Sequence, residues 1–478
     1  MELKDKDLAS IGQVRTLLSN ANEAKKQLAK MTQQQLDCIV KAMADTAEEN
    51  AEHLARLATE ETGFGNAEDK TVKNLFASKT VYEKIKDLKT VGLISKDDEK
   101  GIREYACPVG IIGALIPSTN PTSTVIYKTL IAIKSGNPIV FSPHPKALNC
   151  ILETVKIIYK AGVEAGLPGG AIGCITIPTI QATDELMKHK YTNLILATGG
   201  PAMVRAAYSS GTPAIGVGAG NGPAFIDKSA DVDKAVERIV ASKTFDNGTI
   251  CASEQSIVIE KCMENALIKS LEKFGAYIMN EEETKKVASI LFKNGKMNAQ
   301  IVGKPAYFVA KQAGVNVPEK VTVLVARETG VGLNAPYSQE KLTPVLALYV
   351  EDSIDKVLEK CVDILRFEGA GHSFMMHCTD ADLVDSFAKV IPASRIIVNS
   401  YGSLGGVGAT TNLFPALTLG CGSVGGGSTT NNIGPLDLIN IKRVAFGKCE
   451  ISDIRKNKSN VTADMVEYIV NSVMKKLI

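Results

Sequence analysis

The sequence predicts an α/β protein built around two successive parallel sheets, and two observations carry that prediction. From about residue 109, short apolar runs alternate with helical stretches, and after residue 223 the alternation begins again. Before the first run, residues 8–90 read as successive helices. Leu17-Leu18, Ala21, Ala24 and Leu28, then Ile39, Met43, Ala47, Leu54 and Leu57, recur at three-to-four spacing.

In the first run, Val109–Ile116, Pro138–Phe141, Ile172–Ile177 and Asn193–Ala197 are predicted as strands. Ser123–Lys134, Leu148–Ala161, Ala182–Lys188 and Ala202–Ser209 are predicted as the helices between them. Sheets of this kind bind ligands beyond the carboxyl ends of their strands. The second run, Pro223 to about Ala393, begins with Ala224–Asp227 and includes Ser256–Glu260, Val321–Ala326 and Val345–Val350 as strands. Asn399–Asn432 is rich in Gly, Ser, Thr and Asn, a composition that supports no long element and predicts a surface wrap or a close approach to a ligand. Lys448–Asn460 has a linker composition. Thr462 is then placed to N-cap an amphipathic helix carrying Met465, Val466, Ile469, Val470, Val473, Met474 and Leu477 on one stripe. Such a helix docks either on its own domain or in a partner's groove.

Composition narrows the function. The 478 residues carry 54 Lys plus Arg against 52 Asp plus Glu, which argues against a nucleic-acid partner. The longest apolar run, Val109–Ile116, falls well short of the ~18–20 residues of a membrane span. A charged N-terminus without an apolar stretch predicts a cytoplasmic protein, in which the ten cysteines are thiols. They form no C-x-x-C pair, so no metal site is expected.

One cysteine stands apart. In Phe245-Asp-Asn-Gly-Thr-Ile-Cys251-Ala-Ser-Glu254-Gln, a tight-turn pair precedes the thiol and an apolar Ile250 flanks it. A turn can present a thiol to a cleft, with backbone N–H groups beside a developing oxyanion. Most cysteines are merely small buried hydrophobes, so spacing alone does not decide. For phosphates there are two glycine sites. Gly420-Cys-Gly422-Ser-Val-Gly425 matches G-x-G-x-x-G but runs on into more glycine, with no helix to hold a pyrophosphate. Leu194–Ala197, Thr198-Gly199-Gly200-Pro201 and the helix after it supply the better geometry.

Taken in order, several motifs resemble the aldehyde dehydrogenase superfamily. They are Ile116-Pro-Ser-Thr-Asn120-Pro, Ser142-Pro-His-Pro, Ala165-Gly-Leu-Pro-Gly169, Ala197-Thr-Gly-Gly200, Gly216-Val-Gly-Ala-Gly220-Asn, Cys251 and Glu340-Lys-Leu-Thr-Pro344, and the likeness covers about 10 to 447. The wording around Cys251 and the late Leu417-Thr-Leu-Gly-Cys-Gly-Ser look like the CoA-acylating branch. That branch contains microcompartment propionaldehyde and acetaldehyde dehydrogenases and the aldehyde half of bifunctional aldehyde–alcohol dehydrogenases.

The resemblance implies a Rossmann-type cofactor domain (1–90 and 108–219) and an α/β catalytic domain (220–432). It also implies a small oligomerisation arm (91–107 and 433–447), and hence a homodimer or a dimer of dimers. By resemblance Cys251 is the nucleophile, Asn120 helps its backbone N–H hold the oxyanion, and Glu340 binds the nicotinamide ribose. Thr198, Gly199 and Gly200 lie under the pyrophosphate. Pro117, Ser118, Thr119, Ser142, Pro143, His144, Val217 and Gly218 complete the expected cofactor contacts. His372 would protonate or position a thioester or CoA sulfur.

Departures from the hydrolytic members are informative. Their water-activating Glu is replaced by Val217, and general-base help is worth about 10²–10⁴-fold. Without it coenzyme A, rather than water, is the expected acyl acceptor, unless another carboxylate such as Glu254 serves. The Lys and Glu that clamp the adenosine ribose in many relatives are Ser142 and Pro145 here. That leaves NAD against NADP open, with NAD favoured by the subfamily. The expected reaction is short aldehyde (propionaldehyde or acetaldehyde) plus CoA plus NAD giving acyl-CoA plus NADH. The alternatives are a hydrolytic dehydrogenase and a catalytically idle interaction protein. The tail, 448–478, resembles a linker and an encapsulation peptide, which implies a microcompartment shell protein as the partner of 462–478.

Overall fold

The computed structural model describes residues 5–293, 295–459 and 463–477. Helices open the chain: α1 (Lys6–Leu28), α2 (Gln33–Glu49), α3 (Ala51–Thr62), α4 (Ala67–Leu75) and, after a π-helical turn, α5 (Val81–Ile85). Asp5 caps α1, and Thr32 forms a capping box with Gln35 on α2, satisfying N–H groups that a helix start leaves without partners. Leu18, Ala21, Ala24, Leu28, Ile39, Met43, Ala47 and Leu54 are all buried, whereas Leu17 and Leu57 reach only the edge of the core.

β1 (Gly92–Asp97) and β2 (Ile102–Pro108) pair antiparallel. Then come β3 (Ile111–Ile116), α6 (Pro121–Lys134), β4 (Ile139–Pro143), α7 (Leu148–Glu164), β5 (Ile172–Cys174), α8 (Ile180–Lys188), β6 (Thr192–Thr198), α9 (Pro201–Tyr208) and β7 (Ala214–Val217). Their sheet is parallel throughout, in the order β5-β4-β3-β6-β7. The chain therefore reverses direction across the sheet between β3 and β6, the switch point where such sheets take ligands. Every residue of α6 is buried, as expected of a helix that packs on all sides.

The second run forms a seven-stranded parallel sheet from β8 (Gly222–Ile226), β9 (Glu254–Glu260), β10 (Ala276–Ile278), β13 (Val323–Arg327), β14 (Val345–Glu351), β15 (Gly371–His377) and β16 (Ala393–Val398). The order is β10-β13-β14-β9-β8-β15-β16. Around it lie α10 (Val232–Thr244), α11 (Glu264–Lys273), α12 (Glu281–Leu291), α13 (Ala306–Gln312), α14 (Ile354–Phe367) and α15 (Ala381–Ala388), with a small hairpin of β11 (Phe292–Lys293) and β12 (Lys296–Met297). The late strand β17 (Ile439–Ala445) returns to β2, so 91–107 and 433–447 share one three-stranded antiparallel sheet.

Two tail expectations are modified. The glycine-rich 399–432 holds only the five-residue α16 (Gly402–Gly406) and a short 3-10 turn, as its composition predicts. It does not simply wrap the surface, however: Gly402, Ser403, Val407, Ala416, Leu419 and Cys421 are buried. The buried Arg395 donates to the Gly420 and Thr430 carbonyls, supplying partners that loop backbone cannot find inside a protein. In the expected linker, Ile451–Ser459 forms α17. The last helix, α18 (Ala463–Met474), follows it, while Thr462, the expected cap, lies outside the described residues. Among the described residues no helix is long and apolar enough to cross a membrane. No acidic, His and Cys group there is placed to hold a metal ion.

Candidate active site

One cleft of about 570 Å³ lies at the switch point of the first sheet. Its wall on that side is made by residues that follow the strands: Pro117–Asn120 after β3, and Thr198–Pro201 at the end of β6. Val217, the last residue of β7, and the Gly218–Ala219 that follow it extend this wall, and the other side comes from residues that precede strands of the second sheet: Thr249 and Cys251 before β9, and Glu340 and Leu342 before β14. Phe64 and the segment Lys296–Val302 close the rim.

Cys251 is held by a sharp turn. Asp246, Asn247 and Gly248 have φ of 47°, 51° and 75°, three successive left-handed residues that reverse the chain after α10. Only Gly tolerates this freely, and Asp and Asn are the side-chain residues that tolerate it best. The neighbouring 216–220 strip passes so close that a Cβ on Gly220 would lie 1.8 Å from the Cys251 carbonyl oxygen. Cys251 itself is half-buried and faces the cleft. Burial pushes its thiol up to about 12, with Glu340 and Cys421 adding to the rise and Arg395 opposing it. The resting group is therefore a thiol.

Asn120 stands at the N-cap of α6, just before Pro121. Its Nδ2 donates to the Thr249 carbonyl at 3.1 Å and to Thr119 Oγ1 at 3.2 Å, while its Oδ1 accepts from Lys73 Nζ at 2.6 Å. The amide is thus tied to the segment that presents Cys251. Glu340 is the sole carboxyl among the described lining residues. It accepts from the Gly220 N–H at 2.9 Å, and burial together with nearby Glu368 raises it to about 8.

Twelve of the residues singled out from the sequence line this cleft: Pro117, Ser118, Thr119, Asn120, His144, Thr198, Gly199, Gly200, Val217, Gly218, Cys251 and Glu340. Ser142 and Pro143 instead line an adjoining, largely apolar slot of about 410 Å³ beside Ile180, Thr183 and Met203. There Ser142 Oγ lies 2.8 Å from Thr183 Oγ1. His372 lines neither. Its ring is fully buried on β15, with Nδ1 3.0 Å from Ser373 Oγ, and burial plus Arg395 lower it to about 3. Its Nε2 is buried with no hydrogen-bond partner, so in this position the ring is held as a neutral imidazole packed against the strand. Glu254, the alternative base, is not among the described residues lining the cleft either, and burial raises it to about 7. It is buried, accepting from the Gly402 N–H at 2.7 Å. Sequence reasoning missed Lys70, Lys73 and Asp246, which form a buried ionic cluster behind Asn120. Their only signal was a Lys pair at three-residue spacing, which usually marks a solvated helix face.

The cleft has the makings of a dinucleotide cradle. Thr198 Oγ1 is buried without a hydrogen-bond partner, Gly200 and Gly218 face open space, and Pro201 opens α9 with its N-terminal N–H groups beside them. The literal G-x-G-x-x-G at 420–425 leads only into a 3-10 turn, Ser423–Gly425, and offers no helix start.

Comparison with known proteins agrees with this geometry. A sequence model of the aldehyde dehydrogenase family matches residues 4–288. The chain belongs to that family. It is 44% identical over 444 residues to the bifunctional aldehyde-alcohol dehydrogenase of Escherichia coli (strain K12), covering 92% of this chain and 50% of that protein. The chain thus spans about half the length of the bifunctional relatives it matches. The crystal structure of an acetylating aldehyde dehydrogenase from Geobacillus thermoglucosidasius superposes with a TM-score of 0.93 at 52% identity, covering 94% of this chain and 99% of that one. A propionaldehyde dehydrogenase from the Clostridium phytofermentans fucose utilisation bacterial microcompartment gives a TM-score of 0.83 at 30% identity, covering 91% and 98%. A Rhodopseudomonas palustris propionaldehyde dehydrogenase, solved with bound CoA and an acylated cysteine, gives 0.81 at 28%, covering 91% and 97%.

Proposed function

We propose that this chain is a CoA-acylating aldehyde dehydrogenase that converts a short aliphatic aldehyde to its acyl-CoA through a thioester on Cys251. The observation that carries the reading is the pairing of Cys251 with Val217 in a cleft that has no second carboxylate among its described lining residues. The Cys251 thiol releases its proton to solvent, the thiolate sulfur forms a C–S bond to the aldehyde carbon, and the carbonyl oxygen becomes an oxyanion beside the Asn120 amide and the Cys251 N–H. A nicotinamide dinucleotide, NAD by preference, supplies the acceptor for the hydride that leaves this carbon as the C=O bond reforms. Thr198, Gly199 and Gly200 would hold its phosphates, and Glu340 its nicotinamide ribose. Pro117, Ser118, Thr119 and Gly218 shape the cradle, and Ser142, Pro143 and His144 border the adenosine slot.

The acyl group then needs an acceptor. Val217 puts a methyl-bearing side chain where hydrolytic relatives carry a base, so water is not activated there. The CoA sulfur attacks the thioester carbonyl, the bond to Cys251 breaks, and the cysteine thiol is restored. Thioester exchange is close to isoenergetic and requires no hydrolytic base. The names of the relatives, acetylating and propionaldehyde dehydrogenases and one with bound CoA, support this choice over release of a free acid.

Two wider features belong to the same reading. The three-stranded sheet of β1, β2 and β17 leaves Leu93, Ile441 and Val444 exposed, which supports a dimer or dimer of dimers built through this arm. The stripe Met465, Val466, Ile469, Val470 and Val473 on α18 is about half exposed at each position, which supports docking to a microcompartment shell protein. NADH formation from propionaldehyde, followed with and without CoA, tests the reaction. Turnover that depends on CoA and yields propionyl-CoA is expected. Equal turnover to propionate without CoA would replace this reading with the hydrolytic one.

A further inference from the structure

We propose that Lys73 is a positioning residue: it fixes the Asn120 amide with its N–H face toward the Cys251 segment before any aldehyde arrives. The inference rests on the reading of Cys251 as the acylated nucleophile and adds a residue that no motif in the sequence marks. Lys73 lies on α4, far from Asn120 in the chain, yet its Nζ reaches Asn120 Oδ1 at 2.6 Å and Thr249 Oγ1 at 3.1 Å, and also pairs with Asp246 Oδ2. All three donors of the ammonium are thereby used. An ammonium donates and never accepts, so the atom of Asn120 that faces it is the oxygen.

That contact removes an ambiguity which an isolated side-chain amide always has, since its two orientations differ only in which end carries the N–H groups. With the oxygen pinned, both N–H bonds point to the other side, where Thr249 O and Thr119 Oγ1 hold them. An oxyanion on Cys251 competes for the hydrogen now on the Thr119 hydroxyl, the longer of the two contacts and a neutral acceptor.

The cluster is also charged. Lys70 Nζ shares Asp246 Oδ2 at 2.8 Å and donates to the Thr119 carbonyl at 3.0 Å, and Asp246 further accepts from the Asn66 N–H at 2.9 Å. Lys70 is 2% exposed, Lys73 4% and Asp246 0%, so water screens none of them. Asp69 completes the cluster, accepting from the Asp246 N–H at 2.7 Å and lying close enough to favour the Lys73 ammonium, so two lysines face two aspartates and the effect on the amide is one of position. Burial and Lys70 hold Lys73 down to about 8, and it remains mostly an ammonium at neutral pH.

Two reagents test this without relying on turnover. p-Nitrophenyl acetate acylates a cysteine through a tetrahedral oxyanion, whereas iodoacetamide alkylates the same sulfur with no oxyanion. In Lys73→Met, acylation of Cys251 should fall about 10- to 100-fold, approaching the loss of an oxyanion donor. Alkylation should stay within about threefold, because it follows only thiolate content and access. Lys73→Gln should recover most of the acylation, since Asp246 draws the new NH₂ group to the place of the ammonium. Should Lys73→Met leave Asp246 too poorly paired to fold, Lys73→Met with Asp246→Asn removes both charges, and the same split is expected. Unchanged acylation in these variants would overturn the proposal, and so would acylation and alkylation falling together. No acylation of Cys251 in the unsubstituted protein would instead bring down the reading of Cys251, and the proposal with it.

Discussion

Cys251 is a poor nucleophile as it rests, because its half-buried thiol is pushed up to about 12 and only the thiolate attacks. Below that value the thiolate fraction grows tenfold with each pH unit. Alkylation of the ligand-free protein at Cys251 by iodoacetamide should therefore accelerate steadily from pH 7 to 9, by up to about tenfold per unit. A plateau within that range would show a thiol already activated by its surroundings. Glu340 bears on this: at about 8 it is mostly protonated near neutrality, and its ionisation at higher pH raises the neighbouring thiol, so the slope falls somewhat below tenfold as it ionises. The residues proposed to do the chemistry were legible because each sits in a short local motif, as Cys251, Asn120 and Glu340 do, and the structure brings all three to one cleft. Lys73 was not, because its meaning comes from a contact between α4 and a turn some 170 residues later.

At the scale of elements, one buried lysine ties the cleft to the sheet beneath it. Lys128 on α6 donates to the Leu115 and Leu196 carbonyls, each at 2.9 Å, near the carboxyl ends of β3 and β6. These two strands flank the switch point, so the contact braces the floor of the cradle. Burial lowers Lys128 from 10.5 to about 7. Between those two values the unfolded chain binds the extra proton and the folded one does not, so the lysine contributes stability that grows as pH rises. Lys128→Met lacks this gain and leaves two carbonyls without a partner. In urea unfolding its deficit against the parent protein should widen by about 2–3 kcal/mol between pH 6.5 and 9.5. A deficit independent of pH would mean that Lys128 keeps an ordinary pKa in the fold. Strands and helices of the first run were predicted to within about two residues for most of their ends, since apolar runs and Pro or Gly punctuation are local signals. The burial of 399–432 was not, because it depends on Arg395 reaching over from β16.

For the whole molecule, the question is what the tail adds. Ile451 and Ile454 on α17 and the apolar stripe on α18 are 49–65% exposed, so neither helix contributes these side chains to the core. Deleting residues 449–478 should leave kcat/KM and Tm unchanged. The same deletion should abolish co-localisation with shell proteins in cells that make them. Co-localisation that survives would reassign the exposed stripe, and a fall in Tm would show that the tail packs on the body after all. The arm poses a separate question of assembly, since β1 and β17 both end the three-stranded sheet with open edges. Open edges of this kind are commonly paired or covered.

The sequence by itself determined the two parallel sheets, and it singled out the cysteine proposed as nucleophile and the valine proposed to replace a base, because these depend on periodicity and on residue identity at one position. Only the tertiary structure showed that the His372 ring is fully buried on β15 and is not among the described residues lining the cleft. It alone revealed the Lys70, Lys73 and Asp246 cluster behind Asn120. Burial and ionic pairing are properties of surroundings, and around Asn120 those surroundings are assembled from segments up to 180 residues apart.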